Sequence, residues 1–415
     1  MTTITDVRTK ALGRKDGHMI SMRFGRPGAP NRIVVLLLCL VGGACSPEPE
    51  SGSYVATLGE DTVAVEAFSW SDGEITGRSV KAFPRPSLRT YRISLDPSGE
   101  VQRVRMEAGA AGAGPTGTLD LRYTRDSVFV VARQDTVEVR FALAADGGRP
   151  LPMASDLFVF WELALGHVVD GSGPPRTIGV VTGRSVQPID VRLVDERTLS
   201  FGYPEWGTAR ATRGDEGWLD TLDMGGTTTK FHVVRGPFRD VDETMAAWAA
   251  RPDPGSLSPR DTARGEIRGA TILVDYGRPA MRGRQVFGGI VPWNDVWRLG
   301  ANAATQLTLD HEIVIGGTSV PAGVYSLWAI PTPTEWTLIV NAQHGQWGTQ
   351  YDPGQDVARF PLTPSGSPGP VERFTISVES GLPGEGSIVF TWESTRVEMP
   401  FTVAQDASGG GKGTT

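Results

Sequence analysis

Cysteine is almost missing from this chain of 415 residues: Cys39 and Cys45 are the two, and none follows residue 45. A folded region beyond that point has no disulfide, no thiolate nucleophile and no cysteine-ligated metal. Histidine is nearly as scarce. After residue 45 only His167, His232, His311 and His344 remain, widely separated, and His311-Glu312 lacks the second histidine that a zinc-hydrolase helix carries four residues on. No metal site and no cofactor are expected. Positive charge is also short. The first 44 residues hold seven Lys/Arg and two Asp, so the rest carries 33 basic against 45 acidic side chains, a net of −12. Such a surface repels polyphosphate and shows no basic stripe, which excludes nucleic acid as the expected partner.

Long apolar runs are lacking too. Ile33 to Val41 is nine residues, too short for a bilayer span of about 20. Arg23, Arg26 and Arg32 precede it and Gly42-Gly43-Ala44-Cys45 follows, the order of a secretory signal. Cys45 after small residues resembles a bacterial lipobox, with Gly42 where leucine is commonest, so residues 1–45 are expected to be a signal ending at a lipidated Cys45. Met22 would start a signal of ordinary length as well as Met1 does. Membrane attachment would then come from acyl chains, with the folded parts outside the cytoplasm.

What the chain has in plenty is glycine and proline, 52 and 30 residues. Runs such as Tyr91-Ile93-Leu95 and Val137-Val139-Phe141 alternate apolar and polar positions, and Asp/Gly turns separate them. That pattern means antiparallel hairpins. Residues 46–53 read as a tether and 54–250 as an antiparallel curved sheet or open barrel. Two helical segments are expected within it, Ser155 to Val169 and Val241 to Ala250. Residues 251–261, with three prolines, read as a linker; 405–415 read as a tail. Residues 262–404 read as eight to ten short strands with long loops, a β-sandwich or jelly roll, with Val324 to Ile330 and Trp336 to Val340 paired across Pro331 to Thr334 and with Ile388 to Trp392 and Val397 to Val403 as its last strands. The fold class is all-β.

The densest chemistry lies between Asp275 and Pro361, which holds Trp293, Trp297, Trp328, Trp336 and Trp347 among several arginines and asparagines. Tyr276-Gly277-Arg278-Pro279 is followed by Arg282 and Arg284, a fork for a carboxylate or phosphate or a set of loop-orienting ion pairs. Trp297-Arg298 sends one side chain inward and one outward on a strand, and Asn302 reads as a turn amide. His344 to Asp352 displays Trp347 and Tyr351 between glycines, either to stack a sugar ring or to close the core. His344 and Asp352 form a conceivable base and orienter, without a Gly-x-Ser-x-Gly elbow to serve.

These phrases resemble the family called domain of unknown function 2911, found in bacterial envelope proteins. The resemblance implies a β-rich domain over about residues 265–403 and an exported context, and no established activity. Relatives typically have Glu where this chain has Ala303, so a carboxylate that could serve as acid or base there is absent. A binding or interaction protein is therefore expected, with a surface of Tyr276, Arg278, Arg282, Arg284, Trp297, Arg298, Asn302, His344, Trp347 and Tyr351. Its partner would be a small molecule, a glycan or an envelope protein. The alternatives are a hydrolase using His344, and a carrier holding a hydrophobic molecule around the apolar segment Phe158 to Leu165.

Overall fold

A computed structural model describes residues 50–404, apart from 72, 111–112, 146–147, 167–175, 204–205, 216 and 251–254. The expected signal, Cys45, His167, the first half of the tether and the C-terminal tail lie outside the described residues. The first strand, Glu50–Leu58, begins four residues ahead of the expected domain start.

Fifteen strands form one sheet. Eight run in chain order from Glu50–Leu58, near the middle, out to Val137–Ala144 at one edge. The other seven begin beside Glu50–Leu58 with His232–Gly236 and run back through the sequence to Leu151–Pro152. Pairing is antiparallel throughout, except where Leu151–Pro152 lies parallel to Arg176–Thr182. The first and last strands close the two halves onto each other through the register Ser53↔Gly236 to Thr57↔His232. Alternation does what the sequence promised: on Ser87–Leu95, Tyr91 and Ile93 are buried while Arg92 is exposed.

The sheet curls about a helix, α1 (Val159–Gly166), whose side chains belong to the same core cluster as strands from both ends of the sheet. Trp161 stacks on Trp206 at 5.6 Å, and Tyr91 meets Phe160 at 5.7 Å. The apolar segment around which a hydrophobic molecule was expected is itself closed in, with Phe158 and Leu165 fully buried. Among the described residues the sheet is not closed by hydrogen bonds. Its two ends approach through Arg184, whose guanidinium lies 5.6 Å from the Phe141 ring centre. A second helix, α2 (Val241–Ala249), starts as expected behind Asp240, whose carboxylate accepts from the Asp242 and Glu243 amides. Its Val241, Met245 and Trp248 cover the opposite face of the sheet, against Val65 and Val80.

The start of α1 departs from expectation. Ser155-Asp156 does not cap it. Asp156 pairs with Arg89 and its carbonyl accepts from Ser79. The cap comes from Glu66 on the strand Asp61–Ser71, whose carboxylate accepts from the Phe158 amide at 2.6 Å and the Val159 amide at 3.0 Å. No local sequence signal can show a cap supplied from 92 residues away.

The C-terminal strands make two sheets facing across one core. Six strands, Arg260–Ile267, Ala270–Gly277, Thr305–Leu309, Gly323–Pro331, Trp336–Asn341 and Asp356–Leu362, form the first in that order. The second orders Thr318–Val320, Ile313–Ile315, Glu385–Val403 and Ser365–Ser380. The hairpin expected across Pro331 to Thr334 is present, with Ile330 opposite Thr337. Two strands expected near Ile388 and Val397 are one strand of 19 residues, bent at Glu393, which has φ +55°. This core shares no residue with the first. Among the described residues no helix is long and apolar enough to cross a membrane.

Glu66 is fully buried, and burial pushes its pKa up to about 8 despite the two amide bonds that favour its charged form. The folded state then holds a proton that the unfolded chain, near the ordinary value of 4.5, has already released. Stability conferred by the protonated group is complete below about pH 4.5 and is lost as pH rises through 8. The melting temperature should fall by on the order of 5 °C between pH 5.5 and 8.5. Glu66→Gln should flatten that slope; an unchanged slope by calorimetry would contradict the assignment.

Candidate functional site

Nearly all the residues expected to form a ligand surface lie on two loops of the C-terminal sandwich, 278–304 and 342–355. The first loop is held by aromatic packing. Trp297 sits between the two sheets, 6.0 Å from Trp392, 5.2 Å from Phe374 and 5.9 Å from Trp336. Its indole N–H donates to the Gly300 carbonyl at 3.1 Å. Phe287 joins the group at 5.1 Å from Trp336. Tyr276 packs edge-on against Phe374, and its hydroxyl accepts from the Ile376 amide at 3.1 Å. Tyr276 and Trp297 are therefore core residues and have no face for a ligand, which corrects the expectation for both. Trp328 and Trp336 are closed in as well, and Trp293 is half-buried.

The Tyr-Gly-Arg-Pro and Trp-Arg-x-Gly-Ala-Asn phrases have a backbone reason. At Gly277 a Cβ would stand 2.0 Å from the Ala301 carbonyl oxygen, and at Gly300 it would stand 2.7 Å from that of Gly277. Two backbone segments touch here with no room for side chains. Leu299 and Asn302 both take left-handed conformations, φ +47° and +66°, to make the turn. Asn302 is the turn residue it resembles: its carbonyl accepts from the Gly348 amide at 3.0 Å and its side-chain amide donates to the Ser258 carbonyl at 3.3 Å.

The arginines divide by task. Arg278 pairs with Asp261 and donates to Thr375, tying the loop to both sheets. Arg282 is an ion pair with Asp61 of the N-terminal sheet, and its guanidinium lies 5.4 Å from the Phe83 ring centre. Both are held in ion pairs, the loop-orienting one of the two roles expected of these arginines. Arg284 donates to the Met281 and Ala280 carbonyls, each at 2.9 Å. Arg298 donates to the Asn302 carbonyl at 3.2 Å. Burial lowers the pKa of both guanidinium groups. Neither forms an ion pair among the described residues.

The second loop is anchored from beneath by buried amides and hydroxyls. Asn341 donates to the Asp352 carbonyl and the Asp356 carboxylate, both at 2.8 Å, and Ser326 receives Gln346 at 3.0 Å and the Trp328 indole at 2.8 Å. Tyr351 lies over Trp328 at 5.0 Å, with its hydroxyl donating to Asp356 at 2.7 Å and accepting from Arg359 at 3.0 Å. Burial and the Asp356 carboxylate push its pKa up to about 12. Tyr351 thus closes an edge of the sandwich. His344 is exposed and makes no hydrogen bond among the described residues, while the Asp352 carboxylate caps a turn by accepting from Gly354 at 2.9 Å. They do not form the base and orienter that a hydrolase needs.

Trp347 remains. It is 49% exposed, yet its backbone is fixed on both sides: Ala304 donates to Gln346 at 3.2 Å and Gly348 donates to Asn302 at 3.0 Å. At Gly348 a Cβ would stand 2.2 Å from Arg298 Cδ, so glycine lets the Arg298 stem pass directly beneath the tryptophan loop. The structure therefore brings Arg298, Asn302 and Trp347 together. Ala303 bridges Trp347 through the backbone.

Gly277→Ala should lower stability by about 1–3 kcal/mol, because the new methyl meets backbone that cannot yield. Gly366→Ala, where an added Cβ meets nothing, is the control and should leave the melting temperature within about 1 °C. Equal melting temperatures for the two variants would contradict the close approach.

Solved structures similar to the chain include a protein described as AttH from Nitrosomonas europaea, at 11% identity, covering 85% of this chain and 92% of that one with a TM-score of 0.12. Isotype 1 transferrin binding protein B from serogroup B Neisseria meningitidis is 11% identical, covering 87% and 77% of the two chains at a TM-score of 0.13. At scores this low nothing about those proteins transfers to this one. No curated protein matches the chain. Residues 258–401, the sandwich with both loops, match the family described as protein of unknown function (DUF2911).

Proposed function

We propose that this chain is a cell-envelope lipoprotein, anchored through Cys45, that binds a ligand on the loop face around Trp347. In this reading residues 54–250 and 262–404 are two sheet-built bodies, joined by 251–261, and the second carries the face. The observation that supports it most is the contrast among the tryptophans. The chain encloses Trp297, Trp328 and Trp336 almost completely but holds Trp347 out on a loop whose neighbours are pinned. Leaving an indole in water forgoes roughly 1.5–3 kcal/mol of burial, and a rigid mount lowers the entropy cost of using it for contact. Arg298 and Asn302 flank it with a cation and an amide, the complement of a polar ring such as a sugar or of a partner protein's loop.

The reading is tested by screening the protein by thermal shift against sugars, peptidoglycan fragments, fatty acids and envelope proteins, since a ligand of the folded state raises its melting temperature. For any ligand so found, Trp347→Ala should weaken affinity by about tenfold or more with little change in the unliganded melting temperature. Unaltered affinity in Trp347→Ala would place binding elsewhere. Mass spectrometry of the envelope-purified protein should find a diacylated Cys45 at the new N-terminus; an unprocessed leader would remove the anchor.

A further inference from the structure

The chain passes from one sheet body to the other between two successive residues. Leu257 packs against the core of the fifteen-stranded sheet, whereas the Ser258 carbonyl accepts from the Asn302 side-chain amide of the sandwich at 3.3 Å. The Pro259 carbonyl then accepts from the Arg278 amide at 2.8 Å. Joined at that point alone, the two bodies could swivel, which is the ordinary expectation for domains in one chain.

A second contact, distant in sequence, centres on Arg282. The strands Glu50–Leu58 and Asp61–Ser71 are joined by Gly59 and Glu60, with Leu58 opposite Asp61. Both strands have neighbours on either side in the sheet, so this short turn is firmly mounted. Its Glu60 amide donates to the Arg282 carbonyl at 3.2 Å. The Arg282 guanidinium pairs with Asp61 and lies 5.4 Å from the Phe83 ring centre, leaving the side chain 12% exposed. From the sandwich, the Glu372 carboxylate accepts from the Arg282 amide at 2.9 Å, and the Glu372 carbonyl accepts from the Met281 amide at 2.9 Å. Arg282 thus spends its amide in one body and its carbonyl and side chain in the other.

Both backbones are shaped for this contact. At Gly59, φ +62°, a Cβ would stand 2.0 Å from the Arg282 carbonyl oxygen. At Gly283, φ +72°, it would stand 2.7 Å from the Glu60 carboxylate. Each segment has glycine where the other presses on it. Arg282 itself takes φ +52°, a left-handed conformation that costs an arginine free energy and persists where the surroundings hold it. We infer that Arg282 is a positioning residue: docked on the Gly59-Glu60-Asp61 turn, it lets the N-terminal sheet set the conformation of loop 278–304 in the other body. That loop also carries Arg298 and Asn302, so the loop face is completed by residues 59–61 and 83, outside the matched segment 258–401. The inference holds whether or not Trp347 meets a ligand, because it is read on the ligand-free protein.

Hydrogen–deuterium exchange of the whole protein, followed by mass spectrometry, tests it. Gly59→Ala should speed exchange of amides 281–291 by about tenfold or more. Gly183→Ala is the control: Gly183, φ +58°, lies in the two-residue turn between Thr182 and Ser185, and an added Cβ there meets nothing. It carries similar backbone strain and should leave 281–291 unaltered. Arg282→Met should act as Gly59→Ala does, while Arg282→Lys, which keeps a cation for Asp61, should retain most of the slow exchange. The strands Ser87–Leu95 and Val101–Ala110 report on the N-terminal sheet and should exchange as in the unmodified protein. If Gly59→Ala does not fold, Asp61→Asn removes the ion pair without touching the turn backbone and gives the same readout. Unchanged exchange over 281–291 in these variants overturns the inference, because the sandwich then holds its loop unaided. Acceleration shared equally by Ser87–Leu95 overturns it too, since that is general unfolding rather than release of one loop.

Discussion

The loop face depends on the aromatic packing between the two C-terminal sheets. Trp297, Trp336, Trp392, Phe374 and Phe287 fill the space where loop 278–304 enters the sandwich, with rings 5–6 Å apart. Aromatic pairs at such distances contribute about 0.5–1.5 kcal/mol each beyond the area they bury. A loop of that length without regular structure would otherwise lose too much chain entropy to hold one conformation. Fixed by Trp297 and by the backbone contact at Gly277 and Gly300, it becomes a rigid platform on which Arg298 and Asn302 keep their places. The second loop is then docked onto the first through Asn302 and Gly348, and Trp347 is its exposed tip.

The two sheet bodies are built on the same physics with different consequences. In the first, fifteen strands wind about α1, and the polar groups taken inside are used to fix that helix: Glu66 caps it, and Glu162 accepts from Tyr54 and the Leu219 amide. In the second, polar groups taken inside fix loops, as Asn341 and Ser326 do. Buried polar groups that are satisfied specify one arrangement at little net cost, and those left over are the places where function is sought.

Much of the architecture was legible in the sequence, because period-2 alternation and Gly/Asp turns are local signals. The all-β class, α2 behind Asp240 and the hairpin across Pro331 to Thr334 all follow from such signals. The cap of α1 was not, because Glu66 acts from a distant strand, and neither was the continuous strand Glu385–Val403, whose bend at Glu393 reads as a break. The site was legible only in part. Asn302 declares itself as a turn residue and Trp347 as a displayed ring. Composition cannot tell an indole that closes a core from one that faces water, so Trp297 and Tyr276 looked like surface residues. For Arg278 and Arg282 a free fork and a loop-orienting ion pair read alike, because their acidic partners, Asp261 and Asp61, are supplied by other strands.

The central claim is a difference in accessibility among chemically identical rings, and oxidative footprinting with mass spectrometry measures it residue by residue. The account predicts that Trp347 is oxidised fastest among the C-terminal tryptophans of the native protein, Trp293 more slowly, and Trp297, Trp328 and Trp336 only after unfolding. Oxidation of Trp297 or Trp336 at the rate of Trp347 would contradict it, since the platform would then be open where it has to be closed.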